Sequence, residues 1–125
     1  LDGTFNLVSE PAHTTMGALL TEAVRVTGAD AELIWAPDKL VLEAGISPWT
    51  ELPIYVPRDP EWDAVYAFDV TKALAAGLTA RPMERTVADT WAWLCAEGDP
   101  PHRPGTGLDP AKEREVLNAV TGGPA

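Results

Sequence analysis

Four prolines, Pro48, Pro53, Pro57 and Pro60, fall within residues 46–63. Each ring fixes its own φ and removes a backbone donor, so this stretch forms neither a regular helix nor a central strand. Only Leu52-Pro53-Ile54-Tyr55-Val56 keeps a strand-like composition, and then only as an edge strand. The stretch reads as a long loop, and long loops within compact domains are often functional. It also carries Trp49, Tyr55 and Trp62.

The segments on either side alternate in character. Gly3-Thr4-Phe5-Asn6-Leu7-Val8 reads as a short strand ended by Ser9-Glu10-Pro11. Thr14 or Thr15 then caps a helix in which Met16, Leu19, Leu20, Ala23, Val24 and Thr27 recur at helical spacing, with Gly28 as its stop. Ala31-Glu32-Leu33-Ile34-Trp35-Ala36 reads as a second strand, and Asp38 caps a short helix that runs to about Ala44 and stops at Gly45. Val65-Tyr66-Ala67-Phe68 is strand-like, and Asp69 caps a helix through Val70, Ala73 and Leu74 to Gly77. After Arg81-Pro82 a helix places Met83, Val87, Trp91 and Leu94 near one face. Gly98 to Gly107 is a loop, and Asp109-Pro110 opens a last helix with Val116, Leu117 and Val120 as its apolar stripe. Strands alternating with helices predict an α/β fold, or α+β as an isolated piece, in a single domain over residues 1–125. At 125 residues such a domain buries roughly two-thirds of its unfolded surface.

Charge narrows the function classes. The net charge is −10, and nine basic residues are scattered among nineteen acids. Phosphate-binding surfaces need clustered Lys and Arg, so nucleic acid and anionic membrane surfaces are not expected partners. No apolar run approaches the roughly 18 residues of a membrane helix. Cys95 is the sole cysteine, which points to a reducing, cytoplasmic setting, and its Trp-rich surroundings predict a buried, inert thiol. Leu1-Asp2-Gly3-Thr4-Phe5 has no basic or apolar signal-like pattern and runs directly into a strand, so a segment boundary is expected there.

The motifs that carry chemistry are incomplete. Gly105-Thr106-Gly107 follows a Pro-rich loop, and Pro110 stands where a dinucleotide fingerprint places its third glycine. His13 and His102 have no His or Cys at ligand spacing, so no metal site is expected. Ser9 and Ser47 sit in no nucleophile elbow. A hydrolase using paired carboxylates needs two acids converging in a cleft, and no spacing singles out a pair. The aromatic loop remains. Trp35, Trp49, Tyr55 and Trp62 suit a pocket for a flat or sugar-like ligand, with Arg58 or Arg81 meeting an anionic group. Against this, Trp35 and Trp91 already fall on core-facing elements by periodicity, and Trp49 and Trp62 stand evenly between core packing and ligand contact.

The order of motifs resembles a known group. Thr4-Phe5-Asn6-Leu7-Val8 leads into the helix Thr15-Met16-Gly17-Ala18-Leu19-Leu20. Asp69-Val70-Thr71-Lys72-Ala73-Leu74-Ala75-Ala76-Gly77-Leu78 follows, and after Arg81-Pro82 a helix runs from Met83 to Leu94 through Trp91 and Trp93. This resembles the C-terminal part of extended short-chain dehydrogenases/reductases, the NAD-dependent epimerase/dehydratase family. Ser47-Pro48-Trp49 with Leu52-Pro53 and the Asp38 region is similar to an actinobacterial reductase branch of it. The resemblance spans roughly residues 3–121, and its motifs are structural. In the family a Rossmann domain holds the glycine turn for NAD(P) and a Tyr-x-x-x-Lys pair. This sequence contains neither, so no catalytic or cofactor-binding residue carries over.

The resemblance therefore implies a substrate-binding C-terminal lobe that is not catalytic alone, with NAD(P) held by the cofactor lobe of a full-length parent. On that reading Trp49, Tyr55, Trp62 and Arg81 are the expected contacts to a small-molecule substrate. The alternative is a non-enzymatic protein-interaction module, or self-association through an exposed lobe interface.

Overall fold

Helices carry the architecture. The computed structural model describes residues 2–65, 67–98 and 107–122, and in it α1 spans Met16–Thr27, α2 Asp38–Glu43, α3 Thr71–Ala75, α4 Met83–Glu97 and α5 Pro110–Thr121. A 3₁₀ turn occupies Asp63–Val65. Among the described residues the only β-pairing is an isolated bridge between Pro48 and Leu52. The alternating strand–helix layout expected from the sequence is therefore corrected to an α-rich fold. Residues 3–8 and 31–36 have strand-like composition, but a strand exists only when a neighbour completes its hydrogen-bond ladder. Here no ladder forms, and Leu7 and Trp35 stand 73% and 60% exposed. Val65 belongs to the 3₁₀ turn, and Tyr66 lies outside the described residues, as do His102, Gly105 and Thr106.

The helix ends follow local chemistry. The Thr15 hydroxyl accepts the Ala18 N–H at 3.1 Å, and Gly28, at φ 67°, donates its N–H to the Val24 carbonyl. α5 begins with Asp109 accepting the Ala111 N–H at 2.8 Å and Pro110 in the first turn. A donor left without its cap costs about 1 kcal/mol, so Thr15→Ala is expected to lower stability by about that amount, and Thr15→Ser to restore it. Chemical denaturation of the two variants checks this. Asp38 departs from expectation. It is the first residue of α2, preceded by Pro37, and makes no capping bond to the helix.

The chain divides into two compact units, Leu1–Leu33 with Val65–Pro100, and Ile34–Ala64 with Pro101–Ala125. In the first, α1 packs against α4, and Val70 and Ala73 are buried at α3. Lys72 of α3 gathers the N-terminal segment. Its ammonium donates to the Thr4 carbonyl at 2.9 Å and lies 4.4 Å from the Phe5 ring centroid. The Asn6 amide donates to the Asp69 carbonyl at 2.9 Å, and the Thr71 side chain first, with the Thr71 N–H at 2.9 Å second, holds the Asp69 carboxyl below the usual range. Gly3 fits here because a Cβ would come within 2.8 Å of the Lys72 ammonium, and its φ of 107° suits glycine. Trp91 and Cys95 of α4 are exposed rather than buried as expected, while Met83, Val87 and Leu94 of the same helix are half-buried.

In the second unit α2 packs against α5. Val41, Ile46 and Val116 form its buried centre, and Ala36, Ala44, Leu52, Tyr55, Leu108 and Val120 pack around them. Among the described residues no helix is long and apolar enough to cross a membrane.

Candidate functional site

The proline-rich stretch is a loop, and its first half folds back on itself. Ile46, 3% exposed, roots it in the core of the second unit. From there the Glu51 N–H donates to the Ser47 carbonyl at 3.1 Å, and the Ser47 N–H donates to the Glu51 carboxylate at 2.7 Å. The Trp49 N–H reaches the Tyr55 carbonyl at 3.2 Å, and the Tyr55 N–H reaches the Leu52 carbonyl at 3.2 Å. Leu52 and Tyr55 turn into the core. The expected edge strand over Leu52–Val56 does not form, because Ile54 takes φ 68° and breaks the extended run.

Trp49 shares that conformation, at φ 64°. Left-handed backbone costs an L-residue roughly 1–2 kcal/mol, and a β-branched residue there is a true outlier. Both side chains face solvent, Trp49 at 57% and Ile54 at 48% exposure. Neither residue gains deep burial in exchange for the strain, and such strain persists only where surrounding contacts impose it.

Two such contacts come from helices. Lys112 of α5 donates to the Gly45 carbonyl at 2.7 Å and to the two Glu51 carboxylate oxygens at 2.8 and 2.9 Å. The Lys112 bond, with the Ser47 N–H second, holds the Glu51 carboxyl below the usual carboxylate range. These charge-assisted bonds restrain the segment that carries the strain. Asp38 of α2 holds the other end. One oxygen accepts the Tyr55 hydroxyl at 2.9 Å, and the other accepts the Arg58 N–H at 2.9 Å. Burial first, and then the bond and charge of Asp38, push the Tyr55 phenol up to about 12.

The expected contact residues thus fall into different roles. Trp49 is presented outward. Tyr55 is an anchor, because its ring packs on the core and its hydroxyl is spent on Asp38. Trp62, 39% exposed, ends a turn in which its N–H donates to the Asp59 carbonyl at 2.9 Å. Arg81 belongs to the other unit. Its guanidinium is paired with Asp89, and its carbonyl meets His13 Nε2 at 3.1 Å. Arg58 is the better cation, since its backbone is fixed by Asp38 while its exposed guanidinium makes no ion pair among the described residues.

Sequence reasoning missed Asp38, Glu51 and Lys112 as the holders of the loop. No local signal marks Lys112, which lies far along the chain from Glu51. Both carboxylates are already engaged, so the loop as arranged presents a surface rather than a proton-transfer site. Among the described residues no group of three His, Cys, Asp or Glu side chains is placed to hold a metal ion. No protein-family model, curated protein or solved structure matches the chain.

Proposed function

We propose that this chain is the substrate-side lobe of an NAD(P)-dependent reductase or epimerase, and that residues 46–58 are the part that meets the substrate. The observation that carries the reading is Trp49, held left-handed and outward on a loop whose Asp38, Glu51, Tyr55 and Lys112 side chains are consumed in holding it. A ligand stacked on that indole would bury surface the fold leaves open. Arg58 gives the loop a cation for an anionic substrate group. Further support comes from the motif residues of the resemblance, which are linked in space: Asn6 bonds to Asp69 and Lys72 bonds to Thr4. These residues shape a domain, and hydride chemistry would come from NAD(P) on the cofactor lobe.

Two measurements test this. Calorimetric titration of the chain with NADH or NADPH is expected to give no binding heat, and micromolar affinity would overturn the reading. The DNA upstream of the Leu1 codon is expected to encode a glycine-rich βαβ unit and a Tyr-x-x-x-Lys pair.

A second reading, a non-enzymatic interaction or self-association module, draws on the exposed apolar side chains Leu7, Trp35, Trp91 and Trp93. Sedimentation across a concentration series separates the two. Concentration-dependent assembly, together with an upstream sequence lacking those motifs, favours the module.

A further inference from the structure

One ion pair ties the entry of the strained loop to α5. An ammonium group has three hydrogens to donate, and Lys112 directs its bonds to Gly45 and to both oxygens of Glu51. Glu51 in turn holds the Ser47 N–H. The carbonyl before Ile46 and the amide after it are therefore both tied to the same pair. Downstream lie the two left-handed residues, Trp49 and Ile54, and only beyond them does the loop meet its second anchor at Asp38.

We infer that residues 47–55 form a two-state loop whose balance is set by Lys112. With the pair made, Trp49 and Ile54 stay left-handed and outward. With it broken, the strain relaxes, the Trp49–Tyr55 backbone bond opens, and the presented surface is lost while α2 and α5 stay folded. The reasoning is that backbone strain persists only where contacts impose it, and the Lys112 pair ties Gly45 and Ser47 on the entry side of both strained residues, so its loss releases them locally. This rests on the binding reading in that it gives the same surface a means of regulation. Its test needs no ligand, so either can fail without the other.

Amide hydrogen exchange on Lys112→Met, Glu51→Gln and Lys112→Arg decides it. In the first two, the Trp49, Glu51 and Tyr55 amides are expected to exchange at least about tenfold faster, with Ala44 of the α2 end and Val116 of α5 within about threefold of wild type. Lys112→Arg, which keeps the charge and the donors, is expected to retain most of the protection. Wild-type rates at the loop amides in both charge-removing variants overturn the inference. So does equal acceleration at Ala44 and Val116, which would make Lys112 a support of the whole unit. If Lys112→Met does not fold, the near-isosteric Glu51→Gln decides by the same criterion, and failure of both to fold counts against a local switch.

Discussion

Ile46→Ala is expected to destabilise the second unit by about 3 kcal/mol, a melting shift of roughly 15 °C for a unit this small. Ile46 is the most buried member of a cluster whose other buried side chains are Val41 and Val116. Deleting its outer carbons loses their transfer free energy and leaves a cavity, and the cost rises when the surroundings cannot collapse into it. Here they are pinned, because the Gly45 carbonyl is held by Lys112 and the Ser47 amide by Glu51. Ile46→Val, which leaves a smaller void, is expected to cost about 1 kcal/mol. Denaturant unfolding followed at the α2 and α5 amides reads both values. A loss below about 1 kcal/mol for the alanine variant would show that the site is not the packed centre described.

Asp38→Ala is expected to cost about 2 kcal/mol, since it removes the acceptor of a half-buried phenol and of the Arg58 amide together. Tyr55→Phe removes one partner with little change of shape and is expected to cost about 1 kcal/mol. The double variant tests whether the two costs share one bond, with a coupling of about 1 kcal/mol expected. The alkaline limb gives an independent check. The folded-state phenol titrates near 12, above the ordinary value of 10.0, because burial and Asp38 favour its neutral form. A raised pKa means that the unfolded chain gives up this proton first. The contribution of Tyr55 is therefore complete below pH 10 and is lost as pH rises through 12. Tyr55→Phe is expected to abolish that part of the alkaline loss, and Asp38→Ala to bring the phenolate absorbance midpoint down toward the ordinary value. An unchanged midpoint in Asp38→Ala would remove Asp38 as a cause.

What was legible in the sequence was what is decided within a few residues. α1 and α5 announce themselves through Thr15 and Asp109 at one end and Gly28 and Gly122 at the other, and both caps form. The strand-like runs were legible only as composition, because pairing depends on a neighbour that no local window contains. Asp38 shows the same limit. Its residue type and its place before an apolar run suit a cap, yet Tyr55 and Arg58 claim both of its oxygens. The loop 46–63 was found through its prolines and aromatic residues, but not the identity of what holds it. Choosing between Arg58 and Arg81 required knowing that Asp89 takes the latter.

The two units interleave along the chain: the first opens at Leu1–Leu33, the second at Ile34–Ala64, the first resumes at Val65–Pro100, and the second at Pro101–Ala125. During synthesis this imposes an order. α1 meets its partner once α4 has emerged, while α2 and residues 46–58 must wait for the contacts that α5 supplies. Closing so long an intervening segment costs chain entropy before any contact repays it. α5 also brings both Val116 and Lys112, so the second core and the hold on Glu51 arrive together. If the hold on Glu51 sets the loop as proposed, Trp49 takes up its outward position only once α5 has been translated, and a product truncated before α5 is expected to lack the finished surface.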